Sequence, residues 1–307
     1  MKRNKIIITL FTGMTLLSAC HDLNLNPLSY GSTESWYSDE TEVEMAVNEL
    51  YRNDFWLIDE DTNTDWSDDN IYRESLTEFQ NATLNGQHSQ VINLWSNQYK
   101  VISRANSIIN KAQRAIENGA SESTINAFIA EAHFHRASAY AKLSQKFGAV
   151  PLVENDVDIE EGLTMGRTDL ATIKQFVYDE YDKAIEVLPV SYTDEQRATK
   201  GAALALKARY ALYMGDYAIA AEAAKAVIDL GVYSLHPNYQ ELFLQGTKTS
   251  PENIFVMARS IEFGIYTDAR YPLPRNHGGY AAPNPTWDLF ASYVCTDGLP
   301  IDESPLF

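Results

Sequence analysis

The stretch Asp65-Trp66-Ser67-Asp68-Asp69-Asn70-Ile71-Tyr72-Arg73 gathers an indole, a phenol, carboxylates, an amide and a guanidinium on a predicted loop between helices. That mixture suits one kind of chemistry, the non-covalent binding of sugars. A pyranose ring presents an apolar C–H face and a rim of hydroxyls. Trp66 supplies a flat ring for the face, and Asp65, Asp68, Asn70 and Arg73 supply hydrogen-bonding neighbours. Further rings, Tyr271, Tyr280 and Trp287, lie in the irregular segment that follows the helical part of the chain. Trp36 and Trp56 read as packing residues, as does Trp95 on the apolar face of a long helix. Each stacked ring contributes roughly 0.5–1.5 kcal/mol beyond area burial. Two or three rings with a few exchanged hydrogen bonds therefore predict a Kd of roughly micromolar to millimolar. Long polysaccharides recover affinity through several contacts on one strand.

Other chemistries find less support. His133 and His135 sit two apart on a helix, roughly 200° around its axis, so one ion would need a third element to join them. No metal site is expected. Asp59-x-Asp61-x-Asn63-x-Asp65 copies the first ligand positions of a calcium loop, but Thr64 stands where Gly is required and Asn70 where the bidentate Glu belongs. A solvated acidic loop is the expectation, and chelation should leave stability unchanged. Glycosidase chemistry needs a carboxylate pair flanking a cleft, and among 42 acidic residues some pair meets the distance by chance. With no nucleophile elbow, phosphate loop or dinucleotide fingerprint, the chain is not read as an enzyme and needs no cofactor.

Location narrows the reading. Lys2, Arg3 and Lys5 precede the apolar run Ile6 to Ala19, too short to span a bilayer, which needs about 20 apolar residues. The run reads as a secretory signal over residues 1–19, and Leu17-Ser18-Ala19-Cys20 matches a bacterial lipobox. Cys20 is the expected lipidation site, since two or more acyl chains anchor stably where one does not. Cys295, the other cysteine, is expected to be a buried packing residue. The net charge of −18 becomes −21 once the three basic residues of the signal are removed. Such a surface excludes nucleic acid and repels anionic headgroups, so the lipid would hold the protein to the membrane.

Residues 20–41 read as a tether, and helical spacing begins near Glu42, with Val43, Ala46, Val47 and Leu50 on one stripe. The longest predicted helix covers 90–117 and stops at Asn118-Gly119. Others cover 122–147, begun by Ser121 or Ser123 and ended by Gly148, and then 169–188, 198–214 and 217–230. Ala208, Gly215, Tyr217 and Ala220 follow tetratricopeptide spacing, and Ala137, Tyr140, Tyr181, Ala184 and Pro189 follow it in a second copy split by an inserted loop, 148–167. Past Ser260 the pattern gives way to Gly, Pro, Asn and aromatics.

A resemblance enters at residues 130–153. Arg136, Ala139-Tyr140 and Phe147-Gly148-Ala149-Val150-Pro151-Leu152 resemble the signature of the SusD/RagB family of outer-membrane glycan-binding lipoproteins. In family order follow Gly166-Arg167, Ala184-Ile185 to Leu188-Pro189, Leu206-Lys207-Ala208-Arg209, Gly215-Asp216-Tyr217, and Asn284-Pro285-Thr286 through Asp297-Gly298-Leu299-Pro300-Ile301. The Trp95, Tyr99, Ile102, Ala105-Asn106 helix is similar as well. The resemblance implies a mainly α, SusD-like helical fold with tetratricopeptide-like helix pairs over 42–260. It further implies a loop-rich ligand-binding subdomain begun at 261–307 and incomplete, since family members continue well beyond the Asp-Gly-x-Pro-Ile stretch.

Two functions compete at this point. As the resemblance implies, the chain captures oligo- or polysaccharide at the outer membrane, held by its lipid anchor, and passes it to a SusC-like TonB-dependent transporter, the helical surface docking on the barrel. The alternative is a tetratricopeptide scaffold lipoprotein that faces the periplasm and binds protein segments.

Overall fold

The computed structural model describes residues 36–56, 70–72, 81–192, 196–244, 249–257, 270 and 273–306. The predicted signal, most of the tether, Cys20 and nearly all of the acidic loop therefore lie outside the described residues. In chain order the elements are α1 (Glu40–Asn48), β1 (Asn70–Tyr72), α2 (Ser89–Lys111), α3 (Gln113–Glu117), α4 (Glu122–Phe147), α5 (Ile159–Thr164), α6 (Leu170–Val187), α7 (Lys200–Tyr213), α8 (Tyr217–Asp229), β2 (Pro283–Pro285) and α9 (Trp287–Ser292). The fold is mainly helical. Among the described residues no helix is long and apolar enough to cross a membrane.

Local chemistry sets most helix boundaries. Ser121, Asp169 and Thr199 have extended backbones, and their side-chain oxygens accept the orphan N–H groups of Thr124, Thr172 and Ala202. Gly148, at φ +68°, ends α4 in a conformation that side chains bearing a Cβ avoid. Some boundaries differ from the sequence reading. The helix predicted over 90–117 breaks at Ala112 into α2 and α3, so α4 is the longest. Packing also begins ahead of the helical period: Tyr37 is buried and Trp36 rests against the core. The inserted loop holds a short helix of its own, α5, and is closed by a bridge between Val150 and Thr168. Beyond α8 the described chain to residue 257 holds only the single helical turn Glu241–Phe243, short of the 260 boundary.

Each long helix packs chiefly against its sequence neighbours, α2 on α4, α4 on α6, α6 on α7 and α7 on α8. That nearest-neighbour order is how stacked helical repeats bury surface that no single pair could cover. Small residues permit the approach, with Ala137, Ala184, Ala202, Ala211 and Ala220 all buried at the contacts. Helix α4 sits at the centre, buried almost all round from Ala130 to Ser144.

Polar clasps cross this core. Arg136 on α4 donates to Glu180 on α6 at 2.7 Å and to Asn106 on α2 at 2.7 Å, while Asn106 donates to the carbonyl of Val153 at 3.0 Å. His133 and Lys183 complete the shell around Glu180 at 2.7 and 2.8 Å. Tyr140 holds the same loop, accepting from the N–H of Val153 at 2.7 Å, and Tyr99 donates to the carbonyl of Pro151 at 2.8 Å. His135 is buried core, its Nδ1 accepting from the Trp56 indole at 3.3 Å. Burial, and then the charges of Lys142 and Arg197, push its pKa well below the usual value, so it stays neutral. Trp56 stacks near Phe134 and Phe255, and Trp95 packs against Tyr99 and Phe147. Cys295 is half-buried rather than buried, because it lies in a surface turn and not in the helical core.

Candidate ligand-binding surface

The stretch around Trp66, read as a loop, contains a strand. Asn70, Ile71 and Tyr72 of β1 pair antiparallel with Pro285, Asn284 and Pro283 of β2. The partner is more than two hundred residues away in sequence, so no local pattern announces it. Pro can sit in β2 because an edge strand has N–H positions that need no ladder partner. The pairing sets the backbone that follows Trp66 beside the backbone that leads into Trp287. Of the sequence-predicted site residues, Asp65, Trp66, Asp68, Arg73 and Tyr271 lie outside the described residues. Asn70 opens β1, and Tyr280 and Trp287 flank β2.

Two short devices present those rings. Residues 273–281 fold back on themselves, the N–H of Tyr280 donating to the carbonyl of Arg270 at 2.8 Å and that of Ala281 to Leu273 at 2.8 Å. The Arg270 guanidinium lies 5.2 Å from the centre of the Tyr280 ring. Ala281 is held at φ +47°, a left-handed conformation that costs a non-glycine residue roughly 1–2 kcal/mol. Gly279 leaves no room for a Cβ, which would collide with the Leu273 carbonyl oxygen. On the other side of β2, Thr286 caps α9 by accepting from the N–H of Leu289 at 3.2 Å, which places Trp287 on the first helical turn.

Trp287 is 70% exposed, with its ring centre 5.2 Å from that of Phe290. Tyr293, which ends α9, is 69% exposed. Sequence reasoning named Trp287 and missed Phe290 and Tyr293, although spacings of three residues from Trp287 through a short helix were the available signal. The Asp-Gly-Leu-Pro stretch next to them is a turn. Asp297 accepts from the Ser304 hydroxyl at 2.8 Å and the N–H of Leu299 at 3.0 Å, bonds that hold its carboxyl below the usual range. Exposed rings beside a strand pair can stack on apolar ligand faces; they do not form a catalytic constellation. Among the described residues no group of three His, Cys, Asp or Glu could hold a metal ion.

Comparison with known proteins adds an independent line. Residues 33–212 match the SusD-like family described as starch-binding and associating with the outer membrane. A SusD-like protein of Formosa agariphila is 28% identical over 258 residues, 79% of this chain and 50% of its own length. Among solved structures, a SusD-like carbohydrate-binding protein of Bacteroides fragilis superposes with a TM-score of 0.74 at 28% identity. The match covers 88% of this chain and 56% of that one. A laminarin-binding SusD-like protein superposes with a TM-score of 0.63 at 26% identity, over 71% of this chain and 51% of its own. The chain thus spans about half the length of the curated relatives it matches. Helices α1 to α6 and all but the last residue of α7, with the Arg136 clasp at their centre, lie inside the matched range, and this chain belongs to the SusD-like family.

Proposed function

We propose that this protein is a glycan-binding lipoprotein of the outer membrane, tethered through Cys20, that captures oligo- or polysaccharide at the cell surface. It passes its ligand to a SusC-like TonB-dependent transporter by proximity and release, without covalent chemistry. The observation that carries the reading is the exposed ring set Tyr280, Trp287, Phe290 and Tyr293 on a member of this family. The strand pair β1–β2 supports the view that the Trp66 stretch and the Trp287 stretch serve one ligand, with Trp66 and Tyr271 as further platforms and Asp65, Asp68, Asn70 and Arg73 as hydrogen-bonding neighbours. The carbohydrate-binding and laminarin-binding relatives support the ligand class.

Affinity electrophoresis of the full chain against a panel of polysaccharides tests this. Retardation by at least one glycan, weakened in both Trp66→Ala and Trp287→Ala, is expected; retardation by none overturns the reading. The hand-off is tested by pull-down from native outer membranes, where recovery of a large β-barrel is expected and consistent failure to recover one counts against it.

A further inference from the structure

A concave site lies apart from the ring surface, between the link that joins α6 to α7 and the chain that follows α8. It is a cleft of about 480 Å³, within the range of small-ligand sites, and none of its lining residues belongs to 270–306. Two rings that line it are fixed in place. The Tyr233 hydroxyl shares a hydrogen bond with that of Thr199 at 3.2 Å, and Gly201 is bare where a Cβ would collide with the Tyr233 ring. Phe255 is backed by the core, its ring centre 4.9 Å from that of Trp56 and 5.3 Å from that of Phe134. The segments that carry the two rings are tied together. The N–H of Ser234 donates to the Pro251 carbonyl at 3.2 Å, and that of His236 to the Glu252 carboxylate at 2.7 Å. A cleft held in this way is formed before a ligand arrives, so binding costs little ordering of the walls.

The lining chemistry selects the ligand. Beside the rings stand hydroxyls and amides, Ser191, Thr199 and Gln196 among them, groups that both donate and accept. Sugar hydroxyls do the same, so such a wall can meet them in either direction. None of the lining residues is acidic, and the lining cation Arg197 already meets Glu131 at 2.9 Å and Asn48 at 2.8 Å. A carboxylate or sulfate would therefore be desolvated in the cleft with no counter-charge of its own. We propose that this cleft is a second carbohydrate site, separate from the exposed rings, that holds a neutral disaccharide unit against Tyr233 and Phe255. The proposal rests on the glycan-binding reading above and adds a site and a ligand charge class to it.

The test is a ligand-observed NMR titration of the full chain, in a detergent without a sugar headgroup, with maltose, cellobiose and laminaribiose. Each is compared with its uronate, in which the terminal primary alcohol is oxidised to a carboxylate. At least one neutral disaccharide should bind, and its uronate about tenfold more weakly. Ser191 and Gln196 are exposed, so both can be changed without disturbing the core. Ser191→Trp should block the cleft and abolish disaccharide binding with the thermal melt unchanged. Gln196→Ala should weaken it about fivefold, the loss of one exchanged hydrogen bond. Trp287→Ala should leave it intact. Equal binding of a disaccharide and its uronate, unchanged binding in Ser191→Trp, or loss of binding in Trp287→Ala would overturn the second site. Polysaccharides that retard the chain when no disaccharide binds would show that only this inference has failed. Absence of binding to every glycan would show that the broader reading had failed with it.

Discussion

Glu180 has no exposed side-chain surface, yet three groups, His133, Arg136 and Lys183, converge on its carboxylate. Burial alone would push its carboxyl up. Hydrogen bonds and charge from His133 and Arg136 overcome that and hold its pKa down to about 2, against 4.5 for an ordinary glutamate. A folded pKa below the unfolded one stabilises the native state above pH 4.5, and the contribution is lost as pH falls from 4.5 through 2. The difference amounts to about 3 kcal/mol. Denaturant midpoints measured between pH 7 and pH 3 should fall steeply in the native protein and more shallowly in Glu180→Gln. Arg136→Ala should cost about 3–5 kcal/mol at neutral pH, because removing one partner leaves a buried charge uncompensated. A loss below 1 kcal/mol would remove the clasp from the account of this core. Gly279 makes a local demand instead. Gly279→Ala forces a Cβ against the Leu273 carbonyl and should displace the Tyr280 loop, lowering glycan retention while the melt of the helical core stays in place.

Elements in this chain are begun by small polar side chains and joined by buried alanines. Thr199 illustrates both local and tertiary duty. It caps α7 by accepting from the N–H of Ala202 at 3.1 Å, and it shares a hydrogen bond with the Tyr233 hydroxyl at 3.2 Å. Gly201, the second residue of α7, leaves room for that Tyr233 ring. Thr199→Ala should cost about 1 kcal/mol in urea denaturation and Thr199→Ser should restore most of it, since the hydroxyl is what caps. The turn between α7 and α8 is pinned in the same way. Asp216 accepts from Lys174 and from Tyr178 of α6, at 2.5 and 2.6 Å, so the Gly-Asp-Tyr stretch ties three helices together. Hydrogen bonds from Lys174 and Tyr178 hold the Asp216 carboxyl below its usual range. The residues that carry the family resemblance, Arg136, Tyr140, Arg167 and Asp216 among them, are thus structural in this protein. Arg167, for example, donates to the carbonyls of Phe147 and Ala149 at 3.2 and 3.1 Å.

At the scale of the whole molecule, a stack of neighbouring helices supports a loop surface of exposed rings, and the proposed lipid at Cys20 sets where that surface works. Cys20→Ser should shift the protein from the membrane to the soluble fraction on cell fractionation; retention of the variant in the membrane would remove the lipid from the account. The sequence by itself determined the helical class, a serine cap at Ser121 or Ser123, the stop at Gly148 and the tetratricopeptide-like spacing. These depend on interactions within one turn or one helix face, so residue type and spacing carry them. Trp95, Trp36 and Trp56 were legible as packing for the same reason. Only the tertiary structure decided the break at Ala112, the pairing of Asn70–Tyr72 with Pro283–Pro285, and the meeting of Thr199, Tyr233 and Phe255 around one cleft. Each of these depends on contacts between segments far apart in the chain. Their free energy comes from surfaces brought together by the whole fold, and no local pattern encodes which distant partner will be there.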